Sequence, residues 1–487
     1  MSTTPASADY FERVAAEWDA LRNGYFDENL RVAAIAKAYL RPEMTVADIG
    51  CGTGFIAAGL APLVRQVIAL DGSPAMLDQA RQNLKHFPNI IFQQADGLSL
   101  PLPDWSVDAV FANMYLHHCP DPLAAIREMA RILRPGGRLV ITDLEAHPHA
   151  WLKEEMADVW QGFERNQVHE WLREAGLVNR IVEFSGHSCC AEIQTAPAET
   201  TEPKEANIRV FVSVASQPLA GMREQVRQRY GARAEGKGGS CCAPQPDAPV
   251  TGGCCAPAVD QSGCCAPNSL APVSSAIAPG YTVEQIQAVP EQAAEIALGC
   301  GNPTALAGLR PGEVVVDIGS GGGLDAILAG KAVGPTGRVI GVDMTPQMLE
   351  RARAAAEKAG LSQVEFRAGQ AEALPVEDAS ADAVISNCVI NLTEDKSLAF
   401  AEAFRVLRPG GRLEISDIVT DRAFPLDLQT DPAGWAECVS GALPEGEYLD
   451  LIREAGFVQI TARRSAADHW GDVRIYSLAV SARKPEK

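Results

Sequence analysis

The stretch from Gly238 to Pro267, GGSCCAPQPDAPVTGGCCAPAVDQSGCCAP, carries three adjacent cysteine pairs, each followed by Ala-Pro. Two more cysteines stand alone farther along, Cys388 in SNCVINL and Cys438 in WAECVSGALPEGEY. The chain holds 13 cysteines, an odd number that fits poorly with a closed disulfide framework. In a reducing compartment structural disulfides are uncommon, so paired thiols point to metal, metalloid or redox chemistry. Thiolates are preferred by soft, thiophilic ions. Zinc usually takes four ligands at spacings such as C-x2-C, whereas this strip offers adjacent pairs, and a softer ion is the better match. Cys51 and Cys119 read instead as small buried hydrophobes.

The bulk properties narrow the partners. The chain has 487 residues with a formal net charge of −20, which argues against nucleic acid or an anionic membrane. A small-molecule substrate is expected. No apolar run is long enough to cross a bilayer, and the opening MSTTPASADYFERVAAEW lacks the basic and apolar regions of a signal peptide. A cytoplasmic monomer is expected.

The elements that must position the thiols occur twice. VADIGCGTGF (46–55) recurs as VVDIGSGGGL (315–324), and VIALDGSPAMLDQAR (67–81) as VIGVDMTPQMLERAR (339–353). LPLPDWSVDAVFAN (100–113) recurs as LPVEDASADAVISN (374–387), and RILRPGGRLVITDL (131–144) as RVLRPGGRLEISDI (405–418). The late helix WLREAGL (171–177) returns as LIREAGF (451–457). Two copies of one domain of ordinary size follow. Short apolar runs alternate with amphipathic helices that open after Ser73-Pro74 and Thr345-Pro346. That alternation predicts an α/β fold in each copy, a mostly parallel sheet with helices on both faces. The closing strands are expected at 208–216 and 473–483. The expected domains are 1–216, a Cys/Pro/Gly-rich linker 217–280 containing a short helix, and 281–487.

Both copies carry glycine turns after the first strand: Gly50, Gly52 and Gly54, then Gly319, Gly321 and Gly323. Such turns let the backbone approach a ligand closely. Asp48 and Asp317 precede them, where a carboxylate could meet a cationic ligand. Asp71 and Asp343 end the next strand, placed to accept hydrogen bonds from ribose hydroxyls. With the Asp-Ala-Val strand and the Arg-Pro-Gly-Gly turn, this set resembles the class I S-adenosylmethionine-dependent methyltransferases over almost all of both copies. The resemblance implies two tandem Rossmann-like domains with cofactor at the carboxyl ends of the central strands. It assigns Asp96 to the adenine amine in the first copy; in the second, Met344 follows Asp343 and Gln370-Ala371 stand at the adenine.

The copies differ where the methyl acceptor would sit. Cys388 aligns with Met114, and Cys438 falls near Asp158 or Val159. The second copy alone is preceded by the thiol strip and by GCGNP (299–303). Tyr230-Gly231, the Cys-Cys pairs, Gly280-Tyr281, GCGNP, DIGSGGGLD, VIGVDMTPQML, SNCVINL, EAFRVLRPGG and ECVSGA together resemble the arsenite methyltransferases, from about Gly221 to the C-terminus. By this resemblance As(III) is held by three thiolates: Cys388, Cys438 and one linker cysteine, Cys241 or Cys242. The chain departs from the family by carrying three pairs, so which pair serves stays open. The family also implies repeated methylation, with thioredoxin or glutathione as thiol reductant. The rival reading is methylation of a carbon or oxygen substrate beside a soft-metal-binding linker.

The first copy is similar to the methyltransferase group that contains quinone C-methylases. His117 and His118 of HHCPDP are expected to line the cleft rather than to bind metal. SGHSCCAE, with His187, Cys189 and Cys190, is read as a last loop.

Overall fold

The computed structural model describes residues 5–192, 205–219, 221–236, 280–294, 299–430, 435, 439–465, 467–470 and 472–486. The three cysteine pairs of the linker and Cys438 lie outside them, so the expectations for Cys241, Cys242 and Cys438 are not addressed there.

Among the described residues the first unit has seven strands: β1 Thr45–Ile49, β2 Gln66–Asp71, β3 Ile90–Gln94, β4 Val107–Asn113, β5 Leu133–Leu144, β6 Val178–Glu192 and β7 Glu205–Ser216. Their order is β3-β2-β1-β4-β5-β7-β6. The first five run parallel, and β7 inserts antiparallel between β5 and β6. The second unit repeats this with β8 Val314–Ile318, β9 Arg338–Asp343, β10 Val364–Ala368, β11 Ala381–Asn387, β12 Leu407–Thr420, β13 Val458–Arg464, β14 Asp468–Trp470 and β15 Val473–Arg483. Its order is β10-β9-β8-β11-β12-β15-β13, with β14 on β15. All five residues of β1 are buried, as a central parallel strand covered on both faces requires. The expected closing strands are β7 and β15.

Two local readings change. SGHSCCAE lies on β6 rather than in a loop, with Cys189 opposite Ile208 and Cys190 opposite Asn207. Strand alternation sends neighbouring side chains to opposite faces, so Cys189 is partly buried while Cys190 is exposed. The helix Met222–Ala234, inside the expected linker, belongs to the second unit: Arg223 pairs with Glu372 at 2.9 Å, and its backbone N–H donates to Glu394.

The units dock through buried polar groups. Arg180 of β6 meets Asp395 of the second unit at 2.7 Å. The Asn179 backbone N–H donates to the same carboxylate, and the Lys396 N–H donates to Asn179 Oδ1 at 2.9 Å. Ile181 joins the apolar core of the second unit. No helix among the described residues is long and apolar enough to cross a membrane.

Candidate functional site

The second unit's cleft opens at the carboxyl ends of β8, β9 and β11. Gly319 sits at φ +70, and a Cβ there would lie 2.2 Å from Val389, so only glycine lets this turn pass under the segment after β11. Gly323, at φ +90, starts the helix Leu324–Val333. Asp343 holds the turn in place: it accepts from Gly321 N at 2.9 Å and from Thr345 N at 2.8 Å. Burial raises its pKa. Asp343, Met344, Gln370 and Ala371 line the cleft together with Gly319, Ser320, Gly321 and Gly322.

Asp71 does the same for the first unit, accepting from Gly52 N at 2.8 Å and Ser73 N at 2.9 Å. Asp71, Asp96, Gly50 and Gly52 line that cleft. Gly54 caps the next helix at φ +92.

Asp48 and Asp317 do not line either cleft. Asp48 is 1% exposed and accepts from Ala57 N at 2.9 Å; burial pushes it up to about 8. Asp317 is 2% exposed and is raised by burial, then by Asp325. Their side chains point back under the turn to the following helix, so the expected meeting with a cationic ligand is replaced by a hold on the helix that the turn opens.

The thiol arrangement contains a partner that the sequence reading left out of the ligand set. Cys300 and Cys388 are disulfide-bonded, with Cα atoms 6.0 Å apart. Asn387 at the end of β11 brings them together. Its Oδ1 accepts from Cys300 N at 3.0 Å and Gly301 N at 3.2 Å, and its Nδ2 donates to Gly301 O at 2.8 Å. A Cβ at Gly299 would lie 2.1 Å from Asn387, and one at Gly301 would lie 2.3 Å from Ser416. Both flanking glycines are therefore needed for the loop to seat against the strand. Beneath it, Tyr281 Oη donates to Asp325 at 2.6 Å and Asn387 Nδ2 donates to that hydroxyl at 2.9 Å. The flanking glycines of GCGNP were the available signal for Cys300.

Cys388 lies directly beyond β11 with φ +57, and Met114 of the first unit repeats this at φ +51. Such a backbone is unfavourable for a side-chain-bearing residue and persists only when its surroundings impose it. Here the Cys388 N–H donates to Ser416 O at 2.8 Å, as Met114 N does to Thr142 O. The segments around the undescribed position 438 come close. A Cβ at Gly441 would lie 2.0 Å from Asn391 O. Val439 and Ile418 both pack on the cluster of Phe424, Ala442 and Val473, and Ile418 also packs on the cluster containing Cys388.

The two clefts differ in room. The first encloses about 580 Å³, within the range of small-molecule sites. The second encloses about 130 Å³, with Arg223, Val226 and Tyr230 of the helix Met222–Ala234 along its mouth. In the first, His117 and His118 line the cleft, as do Asp158 and Cys189. Burial opposes charge on His117, yet Asp143 and then Asp158 outweigh it and push it up to about 9. Burial pushes Asp158 up to about 6 and the Cys189 thiol up to about 12.

Two such sheets, each with a glycine turn backed by a strand-end carboxylate, define a tandem S-adenosylmethionine-dependent methyltransferase. Methyltransferase-domain family profiles match residues 309–456 and 47–141. An arsenite methyltransferase of Halobacterium salinarum is 41% identical over 276 residues, covering 54% of this chain and 67% of that protein. One of Aquipseudomonas alcaligenes is 40% identical over 195 residues, covering 37% of this chain and 56% of that protein. The chain belongs to the arsenite methyltransferase family. Its first unit is similar to quinone methyltransferases; the chloroplastic 2-methyl-6-phytyl-1,4-hydroquinone methyltransferase of Arabidopsis thaliana is 32% identical over 158 residues, 32% of this chain and 46% of that protein. The chain spans little more than half the length of the second relative.

Proposed function

We propose that the second unit transfers methyl groups to trivalent arsenic, as an arsenic-detoxifying activity. The observation that carries this reading is the position of Cys388. In a chain of this family, its thiol stands at the mouth of a methyltransferase cleft with a second thiol, Cys300, against it.

As(III) is the substrate, held by Cys388 and Cys438 with a third thiolate. Cys300 supplies the third, or the Cys241-Cys242 pair does. The nearness of residues 439–441 to the Cys388 turn supports a role for Cys438. The cofactor fits the donor set: the glycine turn leaves the backbone bare and Asp343 faces the cleft beside Met344. When bound, S-adenosylmethionine supplies an electrophilic methyl on a sulfonium. Asp343 would hold the ribose and Gln370-Ala371 the adenine. The thiolates would hold arsenic with its lone pair directed away from them and toward the cleft, where the bound cofactor would supply the methyl group. Arsenic carries its own nucleophilic electrons, so no general base is required, and catalysis is largely positioning. Methyl transfer to the lone pair would leave arsenic pentavalent; two thiols would return it to the trivalent state as they join in a disulfide, and thioredoxin or glutathione would reduce that disulfide and the Cys300–Cys388 bond for the next ion.

The test supplies arsenite, thiol and methyl-labelled S-adenosylmethionine to the full chain and separates labelled methylarsenicals. The expected result is labelled product from the wild type and none from Cys388→Ser, with cofactor binding intact. Equal product from Cys388→Ser would overturn the reading. Cys300→Ser compared with the Cys241→Ser/Cys242→Ser double variant decides the third ligand.

A further inference from the structure

The first unit holds a cluster that the arsenic reading does not use. His117, His118 and Asp158 present nitrogen and carboxylate ligand atoms all within 4.8 Å of one another. Asp158 Oδ1 lies 3.7 Å from His117 Nε2 and 3.7 Å from a His118 ring nitrogen. A four-coordinate ion with bonds of about 2.0–2.2 Å keeps its ligand atoms about 3.3–3.6 Å apart, so these side chains need only small adjustments to close on one.

Asp158 gives an independent indication. Its side chain is 3% exposed, and its Oδ1 has no hydrogen-bond partner among the described residues. A buried carboxylate oxygen without a donor is costly unless a cation meets it. Asp143, in contrast, is fully used. It accepts from Leu116 N at 2.8 Å and Leu144 N at 2.7 Å, and it takes His117 Nδ1 at 2.7 Å. That last contact turns His117 Nε2 toward Asp158, the arrangement by which a second carboxylate orients a metal-bound imidazole.

The internal repeat points to the same place. The turn Leu116–His118 corresponds to Ile390–Leu392, and Asp143 to Asp417. His117 and His118 are replaced there by Asn391 and Leu392. The shift that aligns WLREAGL with LIREAGF carries Asp158 onto Cys438. Where the second unit has Cys438, proposed for arsenic, the first has the carboxylate of Asp158, with two imidazoles in place of Asn391 and Leu392.

We propose that the first unit binds one divalent first-row transition-metal ion through His117 Nε2, His118 and Asp158, facing its cofactor cleft. Imidazole with carboxylate suits ions such as zinc, iron(II) or cobalt(II). This replaces the expectation that the histidines merely line the cleft. The alignment with Cys438 rests on the arsenic reading; the His117–His118–Asp158 geometry does not.

The test uses the full chain with accessible thiols blocked by iodoacetamide, so that the cysteine pairs cannot take the metal. Cobalt(II) titration of the wild type is expected to give one equivalent bound, with d–d bands and no sulfur-to-cobalt charge transfer. Asp158→Asn and His118→Gln are expected to weaken cobalt at least about tenfold, with the circular dichroism spectrum and the melting temperature showing that both variants are folded. X-ray absorption of the zinc-loaded wild type reads the ligands without any variant and is expected to show imidazole scattering. Cobalt titrations identical in wild type and folded variants, or a zinc shell without imidazole, would overturn the proposal. Arsenite methylation is read separately, and its loss or retention does not bear on this outcome.

Discussion

Cys300 and Cys388 are joined sulfur to sulfur across 88 residues of chain, at the point where the second cleft opens. One is fixed by the end of β11 and the other by the loop that Asn387 clamps. As a disulfide the pair offers no thiolate to an ion. Purified protein is therefore expected to methylate arsenite only after thiol reduction. Cys300→Ser is expected to keep cofactor affinity within about twofold; product formation falls at least about tenfold where Cys300 is the third thiolate, and becomes independent of reducing this bond where the Cys241-Cys242 pair serves instead. Labelled-product assays with and without reductant, beside calorimetric titration of S-adenosylhomocysteine, read both quantities. Full activity of untreated wild type would contradict this.

Gly319→Ala is expected to disable only the second cleft. The new Cβ meets Val389 at 2.2 Å, in a backbone conformation with φ +70. A cost of about 1–3 kcal/mol is expected from the strained backbone alone. Equilibrium dialysis of labelled S-adenosylmethionine should show a full site in the first unit and a weakened one in the second. Loss of binding in both units would mean that the clefts are not independent.

The pairing of Arg180 with Asp395 predicts linked unfolding of the two units. The side chains are 2% and 7% exposed, and Asp395 also caps the helix Lys396–Val406 by accepting from Leu398 N. Removing one partner of a buried pair costs about 3–5 kcal/mol because the other stays charged and unpaired. Asp395→Ala is expected to lower the melting temperature and to split one calorimetric transition into two. An unchanged single transition would show that the docking does not depend on this pair.

A pH effect is expected at the same interface. Burial, reinforced by Glu183, pushes Glu454 up to about 7, while the Val182 N–H donates to it at 3.4 Å. The folded chain thus binds this proton more tightly than the unfolded chain, whose glutamate titrates near 4.5. Below that value the carboxyl is neutral in both states and contributes no penalty. The penalty grows as pH rises and is complete above about 7. Glu454→Gln is expected to match the wild type at pH 4 and to be more stable at pH 8, by roughly 1–3 kcal/mol. Denaturant titrations at the two pH values check the sign, and equal stability gains at both would refute it.

Much of the fold was legible because its signals are contiguous. The apolar runs of β1, β4, β8 and β11, the glycine turns and the strand-end acids Asp71 and Asp343 all act within a few residues of themselves. The same locality explains why SGHSCCAE misled: its polar composition suggests a loop, and only pairing with β7 makes it a strand. Asp48 and Asp317 misled differently. Their positions beside the glycine turns are right, but the pleat points their carboxylates away from the cleft.

The sequence by itself determined that there are two methyltransferase units and that thiols distinguish the second, because periodicity, turn chemistry and an internal repeat are written in neighbouring residues. Tertiary structure alone decided that Cys300 is the partner of Cys388, that Arg180 locks one unit to the other, and that Asp158 reaches His117 and His118. Those relationships span tens to hundreds of residues. They depend on how strands, helices and loops pack, and no local pattern of residue types carries that information.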